Sequence, residues 1–205
     1  MPGALAYTPG GVFDKEDITG RQGGNTSGIG PMLTFDSRNA AYSPSKGFFS
    51  EVQFIVFGKN IGSNFNFSLL NIDCRKYVQL APASVLALQA IAGFANGTIP
   101  FRKLEELGGP DMMRGYYGGR FTDKCLMAYQ AELRQHLFWR LGCVFFGAFG
   151  QVGENVNEFS LNNFHYSYGT GLRVALSAKE KLNLRVDYGI GAGSNALTLQ
   201  LREAF

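Results

Sequence analysis

Few side chains in this sequence are equipped for chemistry of their own. The two histidines are far apart. His136 lies near the end of a strand-like segment and reads as an interior or interface residue. His165 stands in a loop with no second ligand type beside it. Ser27 and Ser45 lack the positioned His and Asp that would activate a hydroxyl. The three cysteines are an odd number and form no C-x-x-C pair, so neither a disulfide framework nor a zinc site is indicated. Cys125 and Cys143 fall on apolar faces and behave as small hydrophobes. Gly-Gly pairs at 10–11, 23–24 and 118–119 lack the strand, loop and helix that make a phosphate cradle. The residues therefore predict no catalytic group, no metal and no cofactor, and the chain is not read as an enzyme. What remains is charge at alternate positions: Gln130, Glu132, Arg134 and His136; Asn183, Arg185 and Asp187; Thr198, Gln200 and Arg202. Opposite charges on one face suit ion pairing in a confined, hydrated interior.

Those positions are set by strands. A strand turns successive side chains to opposite sides, so Leu182, Leu184, Val186 and Tyr188 share one surface while Asn183, Arg185 and Asp187 share the other. Leu197, Leu199 and Leu201 likewise oppose Thr198, Gln200 and Arg202. Met127, Tyr129, Ala131, Leu133 and Leu137, with Cys125, oppose the polar set near 130–136. About nine such segments are predicted between Gly/Asn/Ser/Pro breaks, near 29–38, 47–58, 64–79, 84–95, 123–137, 139–152, 165–178, 181–190 and 195–205. Residues 1–28 read as a Gly/Pro-rich loop or N-terminal segment and 29–205 as one all-β domain. Residues 96–122 are its long internal loop, of the kind that usually carries function.

Composition narrows the class. Hydrophobic residues make up 45% and charged residues only 17%, below the roughly 25% charged of an ordinary soluble domain. No run approaches the ~18 apolar residues of a membrane helix, and the longest, Leu141 to Phe149, has about nine, the length of a tilted membrane strand. The start carries no basic, then apolar, signal sequence, so the chain reads as a mature form or a later part of a longer product. The net charge of +3, with no Lys/Arg cluster, excludes nucleic acid as a partner. Alternation alone leaves a soluble, lipocalin-like barrel open. The length of the segments, the mixed charge on their polar faces and the closing aromatic Phe205 favour a transmembrane antiparallel up-and-down β-barrel of about 8–10 strands.

Five sequence features, in order, carry a resemblance. They are Thr34-Phe35-Asp36-Ser37-Arg38 followed by Pro44-Ser45-Lys46-Gly47; Met113-Arg114-Gly115-Tyr116; Tyr129-Gln130-Ala131-Glu132-Leu133-Arg134; Gly169-Thr170-Gly171-Leu172-Arg173; and Leu184-Arg185-Val186-Asp187-Tyr188-Gly189 with the strand running to Phe205. From residue 29 onward this resembles the barrel of the BamA-type outer-membrane proteins, the bacterial surface antigen superfamily. Asp36, Arg38, Pro44 and Gly47 resemble that family's periplasmic turn, and Arg114-Gly115-Tyr116 its loop motif. The resemblance implies the bacterial outer membrane, and a chain that is either a small closed barrel or the later half of a sixteen-stranded one, without the periplasmic POTRA repeats that usually precede it. It also implies that the long loop folds into the lumen and that Arg114 pairs with Glu132. The family's Phe-x-Asp-x-Gly is here Phe146-Gly147-Ala148-Phe149-Gly150, so the second carboxylate falls to another residue such as Asp187. Phe205 becomes the C-terminal barrel signal. The implied partners are outer-membrane lipid and either client outer-membrane proteins or a second copy completing the barrel. Four functions remain open: aiding insertion or translocation of outer-membrane or secreted proteins, anchoring a partner or fused domain, a small plugged pore, and a soluble binder.

Overall fold

The computed structural model describes residues 18–177 and 182–205. Twelve strands account for its regular structure: β1 (Gly28–Ile29), β2 (Met32–Asp36), β3 (Gly47–Phe57), β4 (Phe67–Ala81), β5 (Ser84–Gly97), β6 (Glu105–Leu107), β7 (Phe121–Asp123), β8 (Cys125–Phe138), β9 (Leu141–Gly153), β10 (His165–Ser177), β11 (Leu182–Gly191) and β12 (Ser194–Leu201). Ten of them form a single sheet in which sequence neighbours are spatial neighbours, every pair antiparallel. β6 and β7 form a separate hairpin inside the long loop. β1 and β2 are one rung, both paired with β3 and interrupted at Gly30-Pro31. Proline has no amide to give a ladder, but Pro31 still accepts the Phe54 amide at 3.0 Å.

The two ends of the sheet differ. At one end, two-residue turns join β4 to β5 (Pro82-Ala83) and β8 to β9 (Trp139-Arg140). Trp139 takes a left-handed φ of 52° there. The β2–β3 connection at this end is tied by its own side chains. Arg38 grips Asp36 through Nε (2.9 Å) and Nη2 (2.7 Å), and the Asn39 carbonyl oxygen accepts the Ser45 and Lys46 amides. Gly47, at φ 112°, lies so close to the Ser37 carbonyl that a Cβ would stand 2.4 Å from it, so only glycine closes this turn. At the other end lie the long connections, 58–66, 98–124 and 154–164, together with the two-residue turn Ala192-Gly193 between β11 and β12.

Burial decides which surface is inside. Leu172, Leu197 and Leu199 are 60%, 72% and 67% exposed, while Glu132, Arg185 and Asp187 are all but inaccessible. Apolar residues point out and charged residues point in, the reverse of a soluble barrel and the arrangement of a membrane one. The expected alternation is observed from Met127 to Arg134, from Leu182 to Tyr188 and from Leu197 to Leu201, whereas Cys125, expected on the outer face, is buried. The two edge rungs, β1–β2 and β12, run in the same direction, and among the described residues no backbone pairing joins them.

One expectation is corrected. The final strand does not continue to a lipid-facing Phe205. β12 stops at Leu201, Arg202 takes a left-handed φ of 80°, and residues 203–205 turn to the inner face, where Phe205 is only 5% exposed. The reason lies in the period of two: a continuing strand would place the Glu203 carboxylate on the lipid side beside Leu199 and Leu201. Turning inward places it against arginine instead. The long loop is also more ordered than a plain connection, since it carries the β6–β7 hairpin.

The outer face makes a simple prediction. Leu172→Arg, near the middle of β10, lowers the unfolding free energy in lipid vesicles by about 2–4 kcal/mol. The same change at Leu161, in the 154–164 loop, leaves it nearly unchanged. A denaturant titration of both variants checks this.

Candidate functional site: the lumen arginine lock

The loop between β5 and β8 folds back over the inner face. Leu107, Met113 and Tyr116 are buried against Leu126, Ala128 and Ala148 of the wall. The backbone then approaches β11 closely enough to need glycine on both sides. A Cβ at Gly115 (φ 112°) would stand 2.7 Å from the Ile190 carbonyl carbon, and one at Gly189 2.5 Å from that of Arg114. Gly191 leaves room for the Tyr116 ring. Tyr116 Oη donates to the Tyr166 carbonyl (3.1 Å) and accepts the Ala192 amide (2.8 Å), and Ser194 Oγ donates to the Gly115 carbonyl (2.7 Å).

This path delivers Arg114 to the centre of the lumen, 2% exposed. Its Nη2 donates to Glu132 Oε1 and its Nη1 to Asp187 Oδ2 at 2.8 Å. The guanidinium carbon lies 3.6 Å from the centroid of the Phe146 ring, a cation–π contact. The structure thus brings together Arg114, Glu132 and Asp187, with Gly115 and Tyr116 holding the loop in place. Ala148 is not a vacant carboxylate position: its methyl packs in the apolar cluster under the loop, and Asp187 on β11 supplies the second carboxylate.

Around this pair runs a closed ring of alternating charge. Glu132 Oε2 accepts from Arg134 Nε (2.9 Å), and Arg134 approaches Glu203 at 4.0 Å. Glu203 accepts from Arg173 Nε (2.6 Å), and Arg173 Nη1 returns to Asp187 Oδ1. Arg185, fully buried, bonds Asp111 of the loop at 2.6 Å, the Pro110 carbonyl at 3.1 Å and Gln200. Arg134, Arg173, Arg185 and Glu203, which stand within the five sequence features without a part in the Arg114 pairing, belong to the site, as does Asp111, which lies outside those features. The pairing register shows why carboxylates gather here: Arg173 and Arg185 are direct cross-strand partners, and like charges opposed in this way require carboxylates between them. Asp36, Arg38, Pro44 and Gly47 lie at the turn end and build the β2–β3 connection, apart from Arg114. Phe205 joins Tyr77, Ala87 and Ala204 in a small cluster of its own.

The arrangement holds; it presents no nucleophile poised beside a base. The Omp85 superfamily domain matches residues 13–196. The chain belongs to the Omp85 superfamily. Among solved structures, BamA from Haemophilus ducreyi, lacking POTRA domains 1–3, superposes with a TM-score of 0.68 at 14% identity. The match covers 85% of this chain and 41% of that one. At that identity the likeness is one of fold, and this Omp85 chain spans less than half of that protein's length. No curated protein matches it.

Two outcomes follow from the lock. Glu132→Gln leaves Arg114 and Arg134 short of a buried counter-charge and costs about 3–5 kcal/mol. Ala148→Asp, although it restores the family residue, also destabilises, because the new carboxylate meets Leu107, Met113 and Tyr116. Unfolding titrations in lipid check both, and a stabilised Ala148→Asp contradicts the packing argument.

The loop also has a pH response. Glu105 on β6 sits against Gly93 of β5. Burial, with the neighbouring Glu106 charge, pushes its carboxyl from 4.5 up to about 7. The docked hairpin therefore favours the protonated acid. Docking is strongest below about pH 4.5, weakens as pH rises towards 7, and is flat above. Hydrogen exchange of residues 105–107, taken as a ratio to Glu105→Gln at each pH, shows this trend or refutes it.

Proposed function

We propose that this Omp85 domain is the later part of a barrel of the bacterial outer membrane, and that it aids insertion or translocation of outer-membrane or secreted proteins. The observation that carries the reading is the combination of a plugged lumen with two sheet edges that, among the described residues, have no strand partner on their outer side. The plug argues against the interior as a simple conduit and in favour of the edge as the working surface. In lipid each unpaired backbone group costs several kcal/mol, and an exposed strand is a template for another. The parallel sense of β1–β2 and β12 argues that an odd number of further strands separates them in the closed barrel. A second copy in the same membrane orientation would bring the same two parallel edges together, so we favour strands of the same polypeptide or of a client over a homodimer. The short-turn end then faces the periplasm and the long loops the exterior. The role is non-catalytic and needs no cofactor; its partners are lipid and client chains.

The many contacts that immobilise the loop also favour a second reading, in which the barrel only anchors a partner or a fused domain. Reconstitution separates the two. Proteoliposomes holding the full-length protein are given a chaperone-delivered outer-membrane client. Faster client folding than in empty liposomes is the expected result; equal rates would leave the anchor as the function.

A further inference from the structure

The carboxyl-terminal residues make contacts that neither the strand pattern nor the loop motif requires. Beyond the left-handed Arg202, the Glu203 carboxylate receives Arg173 Nε (2.6 Å) and Asn183 Nδ2 (2.7 Å), and the Glu203 amide reaches the Tyr42 carbonyl at 3.4 Å. The Phe205 carbonyl accepts Arg134 Nη2 at 3.0 Å, and its ring lies 6.3 Å from that of Tyr77, with the Arg134 guanidinium 5.2 Å above it. All three residues are buried, at 3%, 7% and 5% exposure. They occupy the short-turn end of the lumen, opposite the end through which the loop enters.

Two routes connect this tail to the loop. Glu203 shares Arg134 with Glu132, and it shares Arg173 with Asp187; Glu132 and Asp187 are the two carboxylates that hold Arg114. Independently, Asp111 of the loop faces both Arg185 and Arg202, at 2.6 and 3.6 Å. We propose that residues 203–205 are a lumen latch, energetically coupled to the loop lock, so that tail and loop are held and released together. The physical cause is charge balance. The ring carries three guanidinium groups, Arg114, Arg134 and Arg173, against three carboxylates, Glu132, Asp187 and Glu203; Arg185 also reaches Asp187, at 3.4 Å, and has Asp111 as its own nearer counter-charge. Withdrawing Glu203 leaves Arg134 and Arg173 to compete for the two carboxylates that grip Arg114. A buried charge cannot be left uncompensated without weakening its neighbours, and coupling of this kind is reciprocal. The latch also spans the open seam. It joins the β2–β3 connection to the far edge through Tyr42, as Ser43 does through Asn183.

Hydrogen exchange on the full-length protein in lipid nanodiscs tests this, comparing the parent with Glu203→Gln and with Arg114→Lys. Glu203→Gln is expected to speed exchange both in residues 200–205 and in the distant loop, 105–123, by roughly fivefold or more. Arg114→Lys is expected to do the same in both segments, and the double variant to show less than the product of the two effects. Faster exchange confined to the mutated segment overturns the coupling, as does a double variant whose effects simply multiply. A heat-shift gel reports whether each variant is folded. If Glu203→Gln is not, Asn183→Ala, which removes one Glu203 hydrogen bond and leaves the ring charges intact, is expected to give the same pattern at smaller amplitude; no change in the loop then overturns the proposal equally.

Discussion

A guanidinium carried on a loop and buried in the middle of a barrel is the constraint on which the rest of this structure depends. The Arg114 guanidinium is a charge shut off from water, so the wall must supply counter-charge at fixed places. Glu132 and Asp187 do so from strands on opposite sides of Arg114, which ties β8 and β11 to the same cation. To bring the loop that deep, its backbone must lie on β11, and that contact is possible only because Gly115 meets Gly189 without side chains. Ala148 belongs to the same solution. With Asp187 providing the second carboxylate, the β9 position is free to pack Leu107, Met113 and Tyr116.

The outer surface imposes the complementary constraint. Lipid offers no hydrogen bonds, so nearly all of the charge that the strands carry turns inward, with Lys76 of β4 an outward exception, and the lumen becomes the place where charges meet. Four arginines converge there because each sits on the inner phase of its strand or is delivered by the loop. The tail obeys the same rule. The outward phase of β12 is leucine as far as Leu201, and the next residue in that phase is an acid. The chain leaves the sheet at Arg202, and the acid finds Arg173 and Asn183.

The edges are where this logic is unfinished. Among the described residues every inner rung of the sheet has both neighbours, whereas β1–β2 and β12 each have one. The Gly30-Pro31 break and the early end of β12 make those rungs the most irregular of the sheet. Its central strands, β4, β5, β8, β9 and β10, are long, at 13 to 15 residues each.

Much of this was legible from residue order alone. The period of two in Leu182 to Tyr188 and in Met127 to Leu137 determined which side chains share a face, because a strand has only two faces. Gly and Pro placed the breaks, and the Arg114-Gly115-Tyr116 motif marked the loop that matters. The direction of the faces was not determined by alternation, since apolar-in and apolar-out give the same pattern; burial decided it. Nor could the sequence place Arg134, Arg173 and Glu203 in one ring with Arg114. Residues 71 positions apart, such as Arg134 and Phe205, become neighbours only when the sheet curves. The turn at Arg202 was hidden for a related reason: local propensity allowed the strand to run on to Phe205, and only the pairing of Glu203 with arginines across the lumen makes the inward path the stable one.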